Sequence, residues 1–144
     1  MYNVQDYDPS RMARACKRYV RISWKASVEI GKVIKGMNVE KARRFLQDVI
    51  EMKKAVPFGR FNRDVAHKPG IGPGRYPVKA AREILDLIDS AAKNAENQGL
   101  DVSKLFIKSF LVMKAPTFYR PRRTPLRGQR MKSVHISVVL EQRG

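Results

Sequence analysis

No aspartate or glutamate occurs anywhere in residues 102–140, whereas Lys104, Lys108, Lys114, Arg120, Arg122, Arg123, Arg127, Arg130 and Lys132 all fall inside that stretch. A cationic run of this length repels itself unless a polyanion neutralises it, and nucleic acid phosphate is the usual neutraliser. Cysteine is almost as scarce. Cys16 stands alone, which excludes an internal disulfide and leaves too few thiolates for a cysteine-based zinc site; its expected role is that of a small buried apolar residue. The only histidines, His67 and His135, stand in no paired-histidine metal motif and no nucleophile elbow. Long apolar runs are missing too: none reaches the roughly 18 residues needed to span a bilayer. Asp6, Asp8 and Pro9 break the basic-then-apolar order of a secretory signal. A cytoplasmic protein with no membrane partner is expected.

What is present is basic and ordinary in hydrophobicity: 144 residues, 43% hydrophobic, with a formal net charge of +17. Nine of the 30 Lys and Arg sit in the acid-free stretch, so all 13 acidic residues are left to the remainder. The length suits one domain with a modest core. A second basic group, Arg11, Arg14, Lys17, Arg18, Arg21 and Lys25, lies near the N-terminus. Any one of these cations alone reads equally well as a solvated side chain; the clusters carry the inference.

Hydrophobic periodicity predicts a short strand at residues 19–22, then a helix capped by Ser23 with Ile30, Val33, Ile34 and Met37 on one face. Asn38 caps a second helix whose stripe is Val39, Ala42, Phe45, Leu46, Val49 and Ile50. Residues 56–76, with three prolines and four glycines, read as an irregular surface insertion. A third helix begins at Pro77, carries Ala81, Ile84, Leu85, Ile88, Ala91, Ala92 and Ala95, and stops at Gly99. Beyond it the period becomes that of strands, at residues 105–114 and 134–140. The two strands are expected to pair. The 115–133 connection, with Pro116, Pro121, Pro125, Gly128 and six cations, then forms the distal part of an extended basic hairpin, reaching about 34 Å for ten residues per side. The alternative is a disordered basic loop. Phe45, Phe106 and Phe110 read as core.

Catalytic readings find little support. Glu83, Asp86 and Asp89 repeat at spacing three, which is more often the solvated face of an amphipathic helix than a metal site. Gly70, Gly72 and Gly74 lack the glycine-lysine-serine ending of a phosphate loop, although backbone there, with Lys68 and Arg75, can approach RNA phosphates closely. No enzyme and no cofactor are expected. The alternative to a fixed RNA partner is a free-standing basic nucleic-acid-binding or chaperone protein, for which net charge alone suffices.

Four segments in order carry a resemblance: RYVRISWKAS at 18–27, GMNVEKARRFL at 36–46, SAAKNAENQGLD at 90–101 and HISVVLE at 135–141. Together they resemble the large ribosomal subunit protein twenty-two family, and FNRDVAHKPGIGPGRYPVKAA with KAP at 114–116 resembles its archaeal and eukaryotic members. At the hairpin tip, PRRTPLRGQRMKS departs from the proline-arginine-alanine, glycine-arginine-alanine pattern of bacterial-type members but keeps the charge. The resemblance implies an α+β fold of three helices packed on a three-stranded antiparallel sheet with a long protruding β-hairpin. Its implied partners are large-subunit rRNA, neighbouring large-subunit proteins and, at the hairpin tip, the nascent polypeptide; no homo-oligomer is expected. The rRNA-binding residues expected on the hairpin are Lys114, Arg120, Arg122, Arg123, Arg127, Arg130 and Lys132, with Phe118 and Tyr119 stacking on unpaired bases.

Overall fold

The computed structural model describes every residue except 1, 3, 5, 122, 124 and 144. Its main sheet has three strands: β1 (Met12–Val20), a strand at Leu105–Lys114 and a strand at Val134–Gln142. Between β1 and those two lie α1 (Trp24–Ile34), α2 (Val39–Ile50), three short strands β2 (Val56–Pro57), β3 (His67–Lys68) and β4 (Gly72–Arg75), and α3 (Val78–Asn97). The Leu105–Lys114 strand is then β5, followed by β6 (Phe118–Tyr119), β7 (Arg130–Met131) and β8 (Val134–Gln142). The α+β class with three helices and a three-stranded antiparallel sheet, ordered β1-β8-β5, is as expected.

Local chemistry accounts for the helix boundaries. Ser23 caps α1, its Oγ accepting from the Ala26 amide, and Asn38 caps α2, its Oδ1 accepting from the Glu40 amide at 2.9 Å. Asn38 also donates through Nδ2 to the Ser103 carbonyl at 2.8 Å, which ties the start of α2 to the turn entering β5. Helix α3 follows Pro77 without a side-chain cap and gives way at Gly99, whose φ of +78° is the left-handed conformation glycine adopts without strain.

The core lies between the helices and the sheet. Ile30 and Ile34 of α1, Leu46 and Val49 of α2, and Ile84, Leu87 and Ile88 of α3 are buried against Ile107, Ile136, Val138 and Leu140. Five alanines of α3, at 80, 81, 91, 92 and 95, are buried where it meets its neighbours, and the helix packs chiefly against β1 and α2. Helix α1 lies on β5, and a methyl group at Gly31 would overlap the Phe110 ring. Phe45 and Phe110 are half-buried against this core, and Phe106 is half-buried with the Arg143 guanidinium over its ring at 5.0 Å.

Three details differ from the periodicity. The first strand is Met12–Val20, not 19–22: its inward residues are Ala13 and Ala15, too small to give an apolar signal between exposed arginines. Cys16 is half-buried on that strand, opposite Ser137. Residues 56–76 also hold more order than their proline and glycine content suggests. There β4 pairs with β2 through Val56↔Arg75 and with β3 through Lys68↔Gly72, while Val56 and Phe58 reach into the main core.

Strands β5 and β8 pair without a break in direction from Leu105↔Gln142 to Lys114↔Val134, with a bulge that inserts Lys108. The ladder continues outward. Ala115 donates to the Ser133 carbonyl at 3.1 Å, β6 pairs with β7 through Phe118↔Met131 and Tyr119↔Arg130, and Arg120 donates to the Gln129 carbonyl at 3.1 Å. The described residues of 116–132 are exposed, Met131 alone being half-buried.

Candidate nucleic-acid interface

Several of the acidic residues are paired with cations within the body. Lys17 bonds to both Glu83, at 3.1 Å, and Asp86; Arg43 Nε meets Asp89 at 2.7 Å; Lys54 meets Asp48 at 2.7 Å; and Lys108 meets Glu141 at 2.9 Å. The carboxylates at spacing three on α3 are therefore partners of structural cations. The Lys17 bond holds the Asp86 carboxyl below its ordinary value of 3.8. For Lys17 itself, partial burial pulls the ammonium pKa down, and the two carboxylates outweigh it and raise it. Among the described residues, no group of three or more His, Cys, Asp and Glu is arranged to hold a metal ion.

By contrast, no ion pair forms among the described residues of the hairpin beyond Lys108. Arg120, Arg123, Arg127, Arg130 and Lys132 are all exposed, and Arg122 lies outside the described residues. The strand ladder that carries them also brings some of them against the body. Lys132 lines two adjoining hollows at the hairpin root, one with Arg21, Lys79, Pro77 and Ser23, the other with Lys114, Arg130 and Trp24. Helices α1 and α3 both begin at the first of these, so their positive dipole ends add to the three side-chain charges. Lys114 also rests over the Trp24 ring at 4.8 Å, and Trp24 Nε1 donates to the Val112 carbonyl at 3.3 Å. Neither hollow is lined by a carboxylate. Both can accept phosphate; neither offers an acid or base pair for catalysis.

A second set of cations is placed by the small β2-β4-β3 sheet. Glu29 of α1 is 2% exposed, and its Oε1 accepts from the Arg60 and Phe61 amides at 2.8 Å each, which fastens the insertion to the body. The Phe61 ring meets that of Trp24 at a tilt of 56°, 5.0 Å between centroids, and lies under Lys25 and Arg60. Lys68 rests over Tyr76 at 5.5 Å and Arg75 over Phe58 at 6.0 Å. The glycine cluster thus presents two ring-supported cations rather than a phosphate loop.

The N-terminal group divides. Arg11, Arg18 and Arg21 are exposed, Arg14 is exposed with its guanidinium over Tyr7 at 4.7 Å, and Lys17 is spent on Glu83 and Asp86. Lys25 leans toward Asn62 and Phe61 at the insertion, away from that strand. Phe118 and Tyr119 are 46% and 60% exposed at the first paired step of the outer ladder. Two contributors escape a reading of the sequence. Lys79, the second residue of α3, joins Arg21 and Lys132 only through tertiary packing, and Tyr19, 54% exposed, lies in a strand whose register no periodicity reveals.

Comparison with known proteins agrees with this arrangement. The family model described as ribosomal protein L22p/L17e matches residues 15–141. The chain is 51% identical to the large ribosomal subunit protein uL22 of Cenarchaeum symbiosum over 74% of its own length and 71% of that protein's. It is 42% identical to the uL22 proteins of Methanococcus aeolicus and Methanocaldococcus jannaschii over 98% of its length and 95% and 94% of theirs. A basic α+β body with an acid-free two-stranded arm, matched from β1 to β8, makes this chain a member of the ribosomal protein L22p/L17e family, whose proteins are structural and not enzymes.

Proposed function

We propose that the chain is a structural constituent of the large ribosomal subunit in the cytoplasm, binding large-subunit rRNA with its body near the polypeptide exit and the tip of its hairpin lining the nascent-peptide tunnel. The observation that carries this reading is the segregation of charge. Carboxylates pair with cations in the body, while the outer ladder keeps its described cations, Arg120, Arg123, Arg127, Arg130 and Lys132, exposed. An arm that passes between phosphate backbones must exclude carboxylates, and an antiparallel ladder holds it extended without a core of its own.

Arg120, Arg122, Arg123, Arg127, Arg130 and Lys132 serve as phosphate partners along the arm. Lys114 acts at its root, Arg11, Arg14, Arg18 and Arg21 act on the body, and Lys25, Lys68 and Arg75 act at the insertion. Lys17 contributes by holding β1 to α3. Binding draws chiefly on counterion release. Neighbouring large-subunit proteins and, at the tip, the nascent chain are the remaining partners, and residues 1–144 act as one RNA-binding domain with the 56–76 insertion and the 115–133 arm as its appendages.

Sucrose-gradient sedimentation of a lysate, before and after a high-salt wash, tests the reading. The protein is expected to stay with large-subunit rRNA after washing. Release into light fractions, or migration with DNA, would instead favour a free-standing nucleic-acid binder.

A further inference from the structure

Tyr19 is a tyrosine with a φ of +56°, in the left-handed region that side chains other than glycine rarely enter. The cause is a bulge in β1. Lys17 pairs with Ile136 and Val20 with Val134, so Arg18 and Tyr19 together face the single residue His135. The bulge turns the Tyr19 amide toward the His135 ring, donating to Nδ1 at 3.1 Å, which puts the proton of the neutral imidazole on Nε2. The His135 ring also meets the Tyr19 ring edge-on, 4.7 Å between centroids at 83°. Despite these two contacts Tyr19 stays 54% exposed.

Beside it, Phe118 of the hairpin is 46% exposed, its centroid 6.5 Å from that of Tyr19 and its plane tilted by 57°. Neither ring covers the other, so the two form an open wedge at the hairpin root. Exposed rings of this size in a protein of this charge call for an occupant with a flat face and negative charge attached. Arg18 adjoins Tyr19, and Arg120 follows one residue after Tyr119; both are exposed. A nucleobase stacks on such rings while its phosphate meets the neighbouring cations.

We propose that Tyr19 and Phe118 form a stacking seat for one unpaired base of large-subunit rRNA, and that His135 is the residue positioning Tyr19. This rests on the reading of the arm as an rRNA-binding element. The strained backbone at Tyr19 is thereby given a purpose, since a bulge re-aims a side chain that regular pairing would place elsewhere.

The test uses the full-length protein and transcribed large-subunit rRNA. Tyr19→Phe should bind as the wild type does. Tyr19→Gly takes the same φ without strain, so it should fold normally, and it should bind about tenfold more weakly for the loss of one stacked base. His135→Ala should weaken binding in the wild-type background and have no further effect in Tyr19→Gly, a non-additivity that a purely structural role would not produce. Short-wavelength ultraviolet crosslinking of intact large subunits should give a nucleotide adduct on Tyr19 or Phe118. If the wild type binds rRNA but Tyr19→Gly binds equally well, or if Tyr19 and Phe118 carry only adducts to a neighbouring protein, the stacking seat is overturned and the rRNA-binding reading stands. If the wild type fails to bind, both fall.

Discussion

At the scale of single residues, Glu29 shows how one buried carboxylate organises a surface. It sits in a helix whose sequence reads as unexceptional, and one of its oxygens satisfies two backbone amides of the insertion. Glu29→Ala leaves both amides without a partner beneath the loop and should cost about 2–3 kcal/mol, whereas Glu29→Gln, which keeps that oxygen, should cost less. Denaturant melts of the two variants check this order. Asp86 illustrates the exposed counterpart. Its folded pKa is depressed by Lys17, so its contribution is fully present above the ordinary 3.8 and is lost as pH falls through the lower folded value. Melting temperature should therefore decline on acidification below about pH 4, and Asp86→Asn should show a shallower decline over that window. An equal decline in both would detach the pair from acid stability. Cap residues Ser23 and Asn38 are legible in the sequence because capping is local; the amide partners of Glu29 and the carboxylate partners of Lys17 are not, being 31 or more residues away along the chain.

At the scale of elements, the helices were readable because each carries an apolar stripe of period near 3.6 bounded by a cap or a glycine. Strand β8 was readable from its alternation, yet Ser137 and Val139, on the face opposite Ile136 and Val138, are buried too, because in the central strand they are flanked by Arg14 and Cys16 of β1 and by Ser109 and Leu111 of β5. Strand β1 escaped detection because its inward positions are alanines, and its bulge at Arg18 and Tyr19 breaks the period at the point where Val20 and Ile22 suggested a strand. The insertion escaped because strands of two to four residues, rich in proline and glycine, are too short to show a periodicity. The outer ladder was legible only as a junction: two strands of matching length joined by a long acid-free connection. Its independence from the core gives a sharp expectation. All residues of the buried cluster lie outside 116–131, so deleting that segment should leave the helical circular dichroism and the thermal transition of the body nearly unchanged. Loss of helical signal would mean that the arm contributes to the fold.

At the scale of the whole molecule, a net charge of +17 is tolerated because it is distributed by function. The body holds ion pairs that fasten β1 to α3, α2 to α3 and β5 to β8, and the arm holds none among its described residues beyond Lys108. Replacing Arg120, Arg122, Arg123, Arg127, Arg130 and Lys132 together by glutamine should lower the salt dependence of rRNA binding, the slope of log K against log salt falling by roughly four to five if each cation neutralises one phosphate. An unchanged slope would move the electrostatic contacts to the body. The most direct measurement places a photoreactive residue at Leu126, which is 50% exposed and leaves every cation of the arm in place, and irradiates salt-washed large subunits. Adducts with large-subunit rRNA or with the nascent chain are predicted. Adducts with neither would contradict an arm that enters the subunit, whatever the affinity of the body for RNA.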